Sequence, residues 1–164
     1  MKTRIENVTV ITMDTDFNLY ENSSVTFEND TIIAINSDSI PVDKVIDGRG
    51  GILMPGMINT HCHMAMIPFR GLGDDCPDRL RRFLFPLENE AMTKELVYLG
   101  ALYGIAEMLL AGVTTFVDMY YFEDEVVRAC KKMGMRGYLG ETIIGQSTCD
   151  IPGKPYGGFE IARE

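Results

Sequence analysis

The stretch Pro55–Met64, PGMINTHCHM, decides how this chain is read. It holds both histidines of the 164-residue sequence, His61 and His63, and marks a change of pattern. Short β-branched runs precede it, whereas strand-like and helix-like segments alternate after it. Pro55 and Gly56 break the chain, so a new element begins behind them. On a regular strand, side chains alternate faces. That puts His61 and His63 on one side, about 6.6 Å apart along the strand, and Cys62 on the other. From spacing alone two readings stand. One is a pair of metal ligands, since neutral imidazole suits Zn²⁺ and a metal held there would lower the pKa of a bound water towards neutrality. The other is two histidines on a half-buried strand, hydrogen-bonded locally and binding nothing.

The context downstream favours the metal. A helix is predicted behind Thr93 as N-cap, with Leu96, Leu99, Tyr103, Ala106 and Leu110 at helical spacing and Gly112 at its end. VTTFVDMY (Val113–Tyr120) reads as a strand. Glu123–Gly134 is a second helix, acidic at its start and basic near its end, as the helix dipole favours. RGYLGETII (Arg136–Ile144) is a third strand. Residues 73–92, GDDCPDRLRRFLFPLENEAM, are polar and irregular, with one short helix expected from Asp78 to Phe85. The order β-α-β-α-β from Met57 predicts parallel strands joined by helical crossovers. A doubly wound sheet and a (β/α)8 barrel both begin this way, and both collect ligands at the carboxyl ends of their strands. Three strands cannot close a barrel of eight, so the expectation is an incomplete one, with FEIARE opening a further helix.

Upstream, NVTVITM (Asn7–Met13), SSVTFEND (Ser23–Asp30), TIIAINS (Thr31–Ser37) and KVIDGRGGILMPG (Lys44–Gly56) read as strands. A hairpin turns at Glu28–Asp30, and a small antiparallel sheet is expected. Hydrophobic residues at 46% and charged residues at 24% suit a soluble globular chain. The formal charge of −9 disfavours a nucleic-acid partner, which calls for clustered cations. Arg79, Arg81 and Arg82 are read as the solvated face of a short helix. No run reaches the roughly 18 apolar residues of a membrane span, so no membrane partner is expected. The opening MKTRIENVTV lacks the apolar core of a signal peptide, and Cys62, Cys76, Cys130 and Cys149 have no paired spacing. Reduced thiols and a cytoplasmic location are therefore expected.

LMPGMINTHCHM (Leu53–Met64) resembles the first-strand signature of the amidohydrolase superfamily, in which a Pro-Gly break leads through a short apolar run to His-x-His. RGLGDD (Arg70–Asp75), FPLENE (Phe85–Glu90), AGVTTFVDMYYF (Ala111–Phe122) and GMRGYLG (Gly134–Gly140) resemble, in order and spacing, one branch of it. That branch deaminates methylthioadenosine and S-adenosylhomocysteine and is related to triazine hydrolases. The resemblance implies an α/β fold: the N-terminal part of a (β/α)8 TIM-like metal-dependent hydrolase barrel, preceded by strands of a small β-sandwich. Residues 1–55 would form half of the sandwich and residues 56–164 the first three β/α units. It implies His61 and His63 as ligands of zinc, or of another divalent metal such as iron. It implies that Glu88 lies in the substrate pocket, accepting hydrogen bonds from ribose hydroxyls or a base edge. Read without the resemblance, Glu88 is a surface carboxylate opening a loop.

The implied reaction is deamination of an aminated purine nucleoside or related N-heterocycle by metal-activated hydroxide. Cyclic-amide hydrolysis or triazine dechlorination on the same scaffold is the alternative. No catalytic residue is assigned within these residues, because the superfamily's later histidines, strand-end Asp and proton-carrying Glu have no counterpart here. The isolated chain is thus expected to be inactive and to work, if at all, with a second copy or a complementary chain. Asp118 is read at the end of the second strand, facing the site, in a structural, ligand-orienting or catalytic role. Glu141 stands near the place where the branch carries an Arg for the substrate's carboxylate. An acid there favours a neutral or cationic ring. Arg70 and Asp75 are read as a loop ion pair.

Overall fold

The computed structural model describes residues 1–156 and 158–163. The chain divides into two compact units, Met1–Pro55 and Gly56–Glu164. Among the described residues no helix is long and apolar enough to cross a membrane.

The first unit is a four-stranded sheet of β1 (Lys2–Ile11), β2 (Leu19–Glu28), β3 (Thr31–Ile35) and β4 (Lys44–Leu53), in the order β3-β2-β1-β4. β1 with β2 and β2 with β3 are antiparallel, and the predicted hairpin turns at Asn29, whose φ of 55° suits a tight turn. The expected all-antiparallel sheet is corrected, because β4 runs parallel to β1. The cause lies in the connection that precedes β4. Asp43 is tied to the start of β1 in both directions, Lys2 N–H to its Oδ2 at 2.8 Å and its own N–H to Lys2 O at 2.9 Å. Arg4 also holds the Asp38 carbonyl at 3.1 Å. β4 therefore begins beside the beginning of β1 and can only run with it.

The second unit carries three parallel strands, β5 (Met57–Cys62), β6 (Val113–Tyr120) and β7 (Arg136–Glu141), in sequential order. After β5 come a 3₁₀ segment (Met64–Phe69) and a π-helical stretch (Leu80–Leu84) that runs directly into α1 (Phe85–Ala91). The short helix expected from Asp78 to Phe85 thus starts later and reaches further, to Ala91. α2 (Lys94–Leu110) and α3 (Glu123–Met133) are the crossovers, and α4 (Gly158–Ile161) follows β7. Thr93 caps α2 as predicted, its Oγ1 accepting the Leu96 N–H at 3.2 Å. Gly112 and Gly134 take the positive φ, 84° and 69°, that the helix ends require.

The face that α2 buries is not the one its large residues suggest. Leu99, Tyr103 and Leu110 are exposed, whereas Val97, Gly100, Ala101, Gly104 and Ile105 are buried. Small residues win because the 3₁₀ segment comes so near. A Cβ on Gly100 would stand 2.7 Å from the Ala65 carbonyl oxygen, and one on Gly104 would overlap Met64 Sδ. α2 is thereby pressed against the residues that directly follow His63. Gly100→Leu is expected to lower stability by about 2 kcal/mol in chemical denaturation, despite leucine's better helix propensity, because overpacking against backbone outweighs it.

Candidate active site

β5 does not run regularly into the histidines. Asn59 pairs with Phe116 and Cys62 with Asp118, so β5 advances three residues where β6 advances two. The extra residue makes a bulge, a device that re-aims side chains. Asn59 Oδ1 fills it by accepting the His61 N–H at 3.2 Å. The two imidazoles end on the same side, edge to face, with centroids 5.1 Å apart.

His63 Nδ1 lies 2.7 Å from the Met119 carbonyl oxygen. A carbonyl only accepts, so Nδ1 carries the proton and Nε2 keeps its lone pair for a ligand-binding role. Metal-binding histidines are oriented in this way. Cys62 points elsewhere, its thiol donating to the Val117 carbonyl at 3.3 Å. Burial, reinforced by the Asp118 charge, pushes that thiol up to about 12, so it stays protonated. Among the described residues no group of three or more His, Cys, Asp or Glu could hold a metal ion. The paired imidazoles fit a zinc centre's donor chemistry and would make two of the three protein ligands that a catalytic zinc takes.

Asp118 is 2% exposed and lies on the buried face of β6, together with Phe116 and Tyr120. It does not line the cavity beside His63, but it lies near enough to His63 and His61 for their charge to act on it. Its carboxylate accepts the Met64 N–H at 3.1 and 3.2 Å and the Met119 N–H at 2.8 Å. Burial pushes it up to about 6, and these two amides pull the other way. Asp118 therefore ties down both neighbours of the His63 anchor: the residue after His63 and the residue whose carbonyl holds its ring.

Glu88 is buried at 3% exposure within α1, not a surface carboxylate opening a loop. It lines a cavity of about 390 Å³ together with His63, Tyr120 and Tyr121, with Met66, Leu84, Phe85 and Ile144 as apolar walls. The Tyr120 hydroxyl donates to Glu88 Oε1 at 2.8 Å. Burial raises the Glu88 carboxyl above its ordinary range, and this hydrogen bond and His63 hold it back. The structure thus brings His63 and Glu88 to one cavity, with His61 edge to face against His63.

Glu141 does not line that cavity. Its carboxylate reaches across to the start of α3, accepting the Phe122 N–H at 3.2 Å and the Glu123 N–H at 3.0 Å. α3 has no side-chain cap of its own, so Glu141 fills that place from β7. The repulsion of a substrate carboxylate expected from Glu141 therefore has no counterpart in the cavity wall. Burial pushes Glu141 up to about 7. Glu123 is pushed to about 9, by burial first and then by Asp118 and Glu141. At 5% exposure and with neither oxygen hydrogen-bonded among the described residues, the surroundings of Glu123 favour its protonated form. Arg70 pairs with Glu107 of α2 at 2.7 Å, not with Asp75.

Sequence reasoning passed over Asn59, the Met119 carbonyl, Tyr120 and Tyr121. The period-2 alternation Phe116, Asp118, Tyr120 was the available signal for Tyr120. A bulge and a backbone carbonyl leave none.

A 5-methylthioadenosine/S-adenosylhomocysteine deaminase of Thermoanaerobacter pseudethanolicus is 41% identical over 155 residues, which cover 92% of this chain and 36% of that protein. Among solved structures, an adenosine deaminase from Xanthomonas campestris with bound zinc superposes with a TM-score of 0.87 at 26% identity, covering 97% of this chain and 37% of that one. A zinc-complexed atrazine chlorohydrolase from Arthrobacter aurescens shares the fold, with a TM-score of 0.79 at 22% identity over 90% of this chain and 37% of that one. The chain spans about a third of the length of the curated relatives it matches. Residues 52–160 match the amidohydrolase family, and with the paired histidines at the end of its first parallel strand the chain belongs to that family.

Proposed function

We propose that the enzyme containing these residues is a metal-dependent deaminase of an aminated purine nucleoside, or a related N-heterocycle. In this reading, residues 56–164 form the first three β/α units of a (β/α)8 barrel, and residues 1–55 half of a β-sandwich. The apolar hollow of about 280 Å³ on the first sheet, walled by Ile5, Val10, Val25, Ile32, Ile35 and Leu53, supports a covering second half. The observation that carries the functional reading is the His63 anchor. An imidazole with its Nε2 freed by the Met119 carbonyl stands beside His61 and opens on the cavity that holds a buried carboxylate.

His61 and His63 would hold a zinc ion or another divalent metal. Such an ion, when bound, supplies Lewis-acid activation of water for attack on the amine-bearing ring carbon, with release of ammonia. Glu88 receives the nucleoside's hydroxyls or a base edge, and the apolar wall of Met66, Leu84, Phe85 and Ile144 excludes water around the remainder of the substrate. The names of the relatives support a purine nucleoside as substrate class and a cytoplasmic setting is consistent with the free thiols.

The test is ammonia release by the zinc-loaded full-length protein from 5′-substituted adenosines, set against cyclic amides and chlorotriazines. Turnover of an adenosine is expected. Turnover confined to a cyclic amide or a triazine overturns the reading. The 164 residues alone are expected to bind zinc weakly and not to deaminate, since two imidazoles under-coordinate the metal.

A further inference from the structure

We infer that Tyr120 is a positioning residue for substrate recognition: its hydroxyl clamps one oxygen of Glu88, leaving the other to accept from a sugar hydroxyl. The inference rests on the reading of Glu88 as a substrate-binding residue.

Tyr120 closes β6 and Glu88 sits in α1, 32 residues apart in sequence, yet the hydroxyl reaches Oε1 at 2.8 Å. Both residues are buried, at 4% and 3% exposure, so the bond is shielded from competing water. Oε2 accepts from no protein group among the described residues and is not among the buried, partnerless oxygens. It therefore opens on the cavity that both residues line. An unclamped carboxylate would present its oxygens in many orientations, and fixing one removes that ordering cost from binding. The same ring lies 6.3 Å from His63, centroid to centroid, so one side chain separates the metal ligand from the substrate acceptor and sets their spacing. Burial favours the protonated form of Glu88, and the Tyr120 bond opposes it. Packing alone would be served equally by Phe at this position.

The test uses the zinc-loaded full-length protein, with an adenosine-type nucleoside and its 2′,3′-dideoxy counterpart as substrates. In Tyr120→Phe, KM for the hydroxyl-bearing nucleoside is expected to rise about tenfold, the size of losing a charge-assisted hydrogen bond, with the loss on KM and not on kcat. KM for the dideoxy compound should not move. An equal rise for both compounds, or none for either, means Tyr120 only packs and overturns the inference. Glu88→Gln run alongside separates the two claims. If it moves neither KM, the reading of Glu88 falls; if it moves KM while Tyr120→Phe does not, only the Tyr120 inference falls. Should Tyr120→Phe not fold, Glu88→Asp withdraws the carboxylate from the hydroxyl with the core intact. Retention of the wild-type KM there overturns the inference, and a rise confined to the hydroxyl-bearing nucleoside supports it.

Discussion

Replacing His63 by Ala in the full-length protein is expected to lower zinc affinity at least about a hundredfold. Losing merely the hydrogen-bond partner of a metal-binding histidine already costs between about ten- and a hundredfold, and here the proposed ligand itself is removed. The ring is held at Nδ1 by the Met119 carbonyl at 2.7 Å and stands edge to face with His61. Among the described residues its Nε2 makes no hydrogen bond to the protein. Competition with a chromophoric chelator reads the affinity directly, with no dependence on turnover. Cys62→Ser is the matched control. Its thiol donates to the Val117 carbonyl and is pushed up to about 12, so zinc affinity should stay within about twofold of wild type. A Cys62→Ser protein that loses zinc as His63→Ala does would show that the metal lies on the other face of β5.

Asp118→Asn is expected to act on the same site without touching it. The carboxylate now receives the Met64 and Met119 amides, 54 and 1 residues away in sequence, in a spot that is 2% exposed. An Asn at that place keeps Oδ1 as acceptor for both amides but turns its NH₂ group towards the Met64 N–H that Oδ2 also receives, and it loses the charge that strengthens both bonds. The cost is about 1 kcal/mol of stability. Because the two amides flank the His63 ring and its carbonyl anchor, zinc affinity should also fall, by about ten- to a hundredfold. Chemical denaturation and chelator competition report the two losses separately. A protein that is destabilised yet binds zinc as wild type would show that Asp118 merely holds the 3₁₀ segment and has no hand in orienting His63.

The legible part of the site was whatever depended on residue type and short-range period. His-x-His on a strand behind Pro-Gly pointed to a shared face, and Cys62 fell on the other. Thr93, Gly112 and Gly134 marked the helix ends because capping chemistry is local. The α2 interface was not legible, since its buried stripe includes Gly100 and Gly104, and glycine carries no apolar signal. Leu99 and Tyr103 carry that signal and remain exposed. Glu88 illustrates the same limit from the polar side. Its type says surface, and only the Tyr120 hydroxyl, 32 residues on, makes its burial tolerable.

By itself the sequence determined the alternation of strand and helix from Met57 onward, the parallel order that follows from it, and the identity of the two imidazoles. These are consequences of periodicity and chain-breaking residues, which act over a few positions. Tertiary structure alone decided the parallel placement of β4 through Asp43 and Lys2, the bulge that brings His61 against His63, and the turning of Glu141 to the start of α3. It also decided which nitrogen of His63 is free, through a carbonyl 56 residues away. Apart from the bulge, whose Asn59–His61 bond is local, each of these rests on a hydrogen bond between groups distant in the chain. No local preference encodes such a partner, because the cost of burying a polar group is met only once the fold has brought the two together.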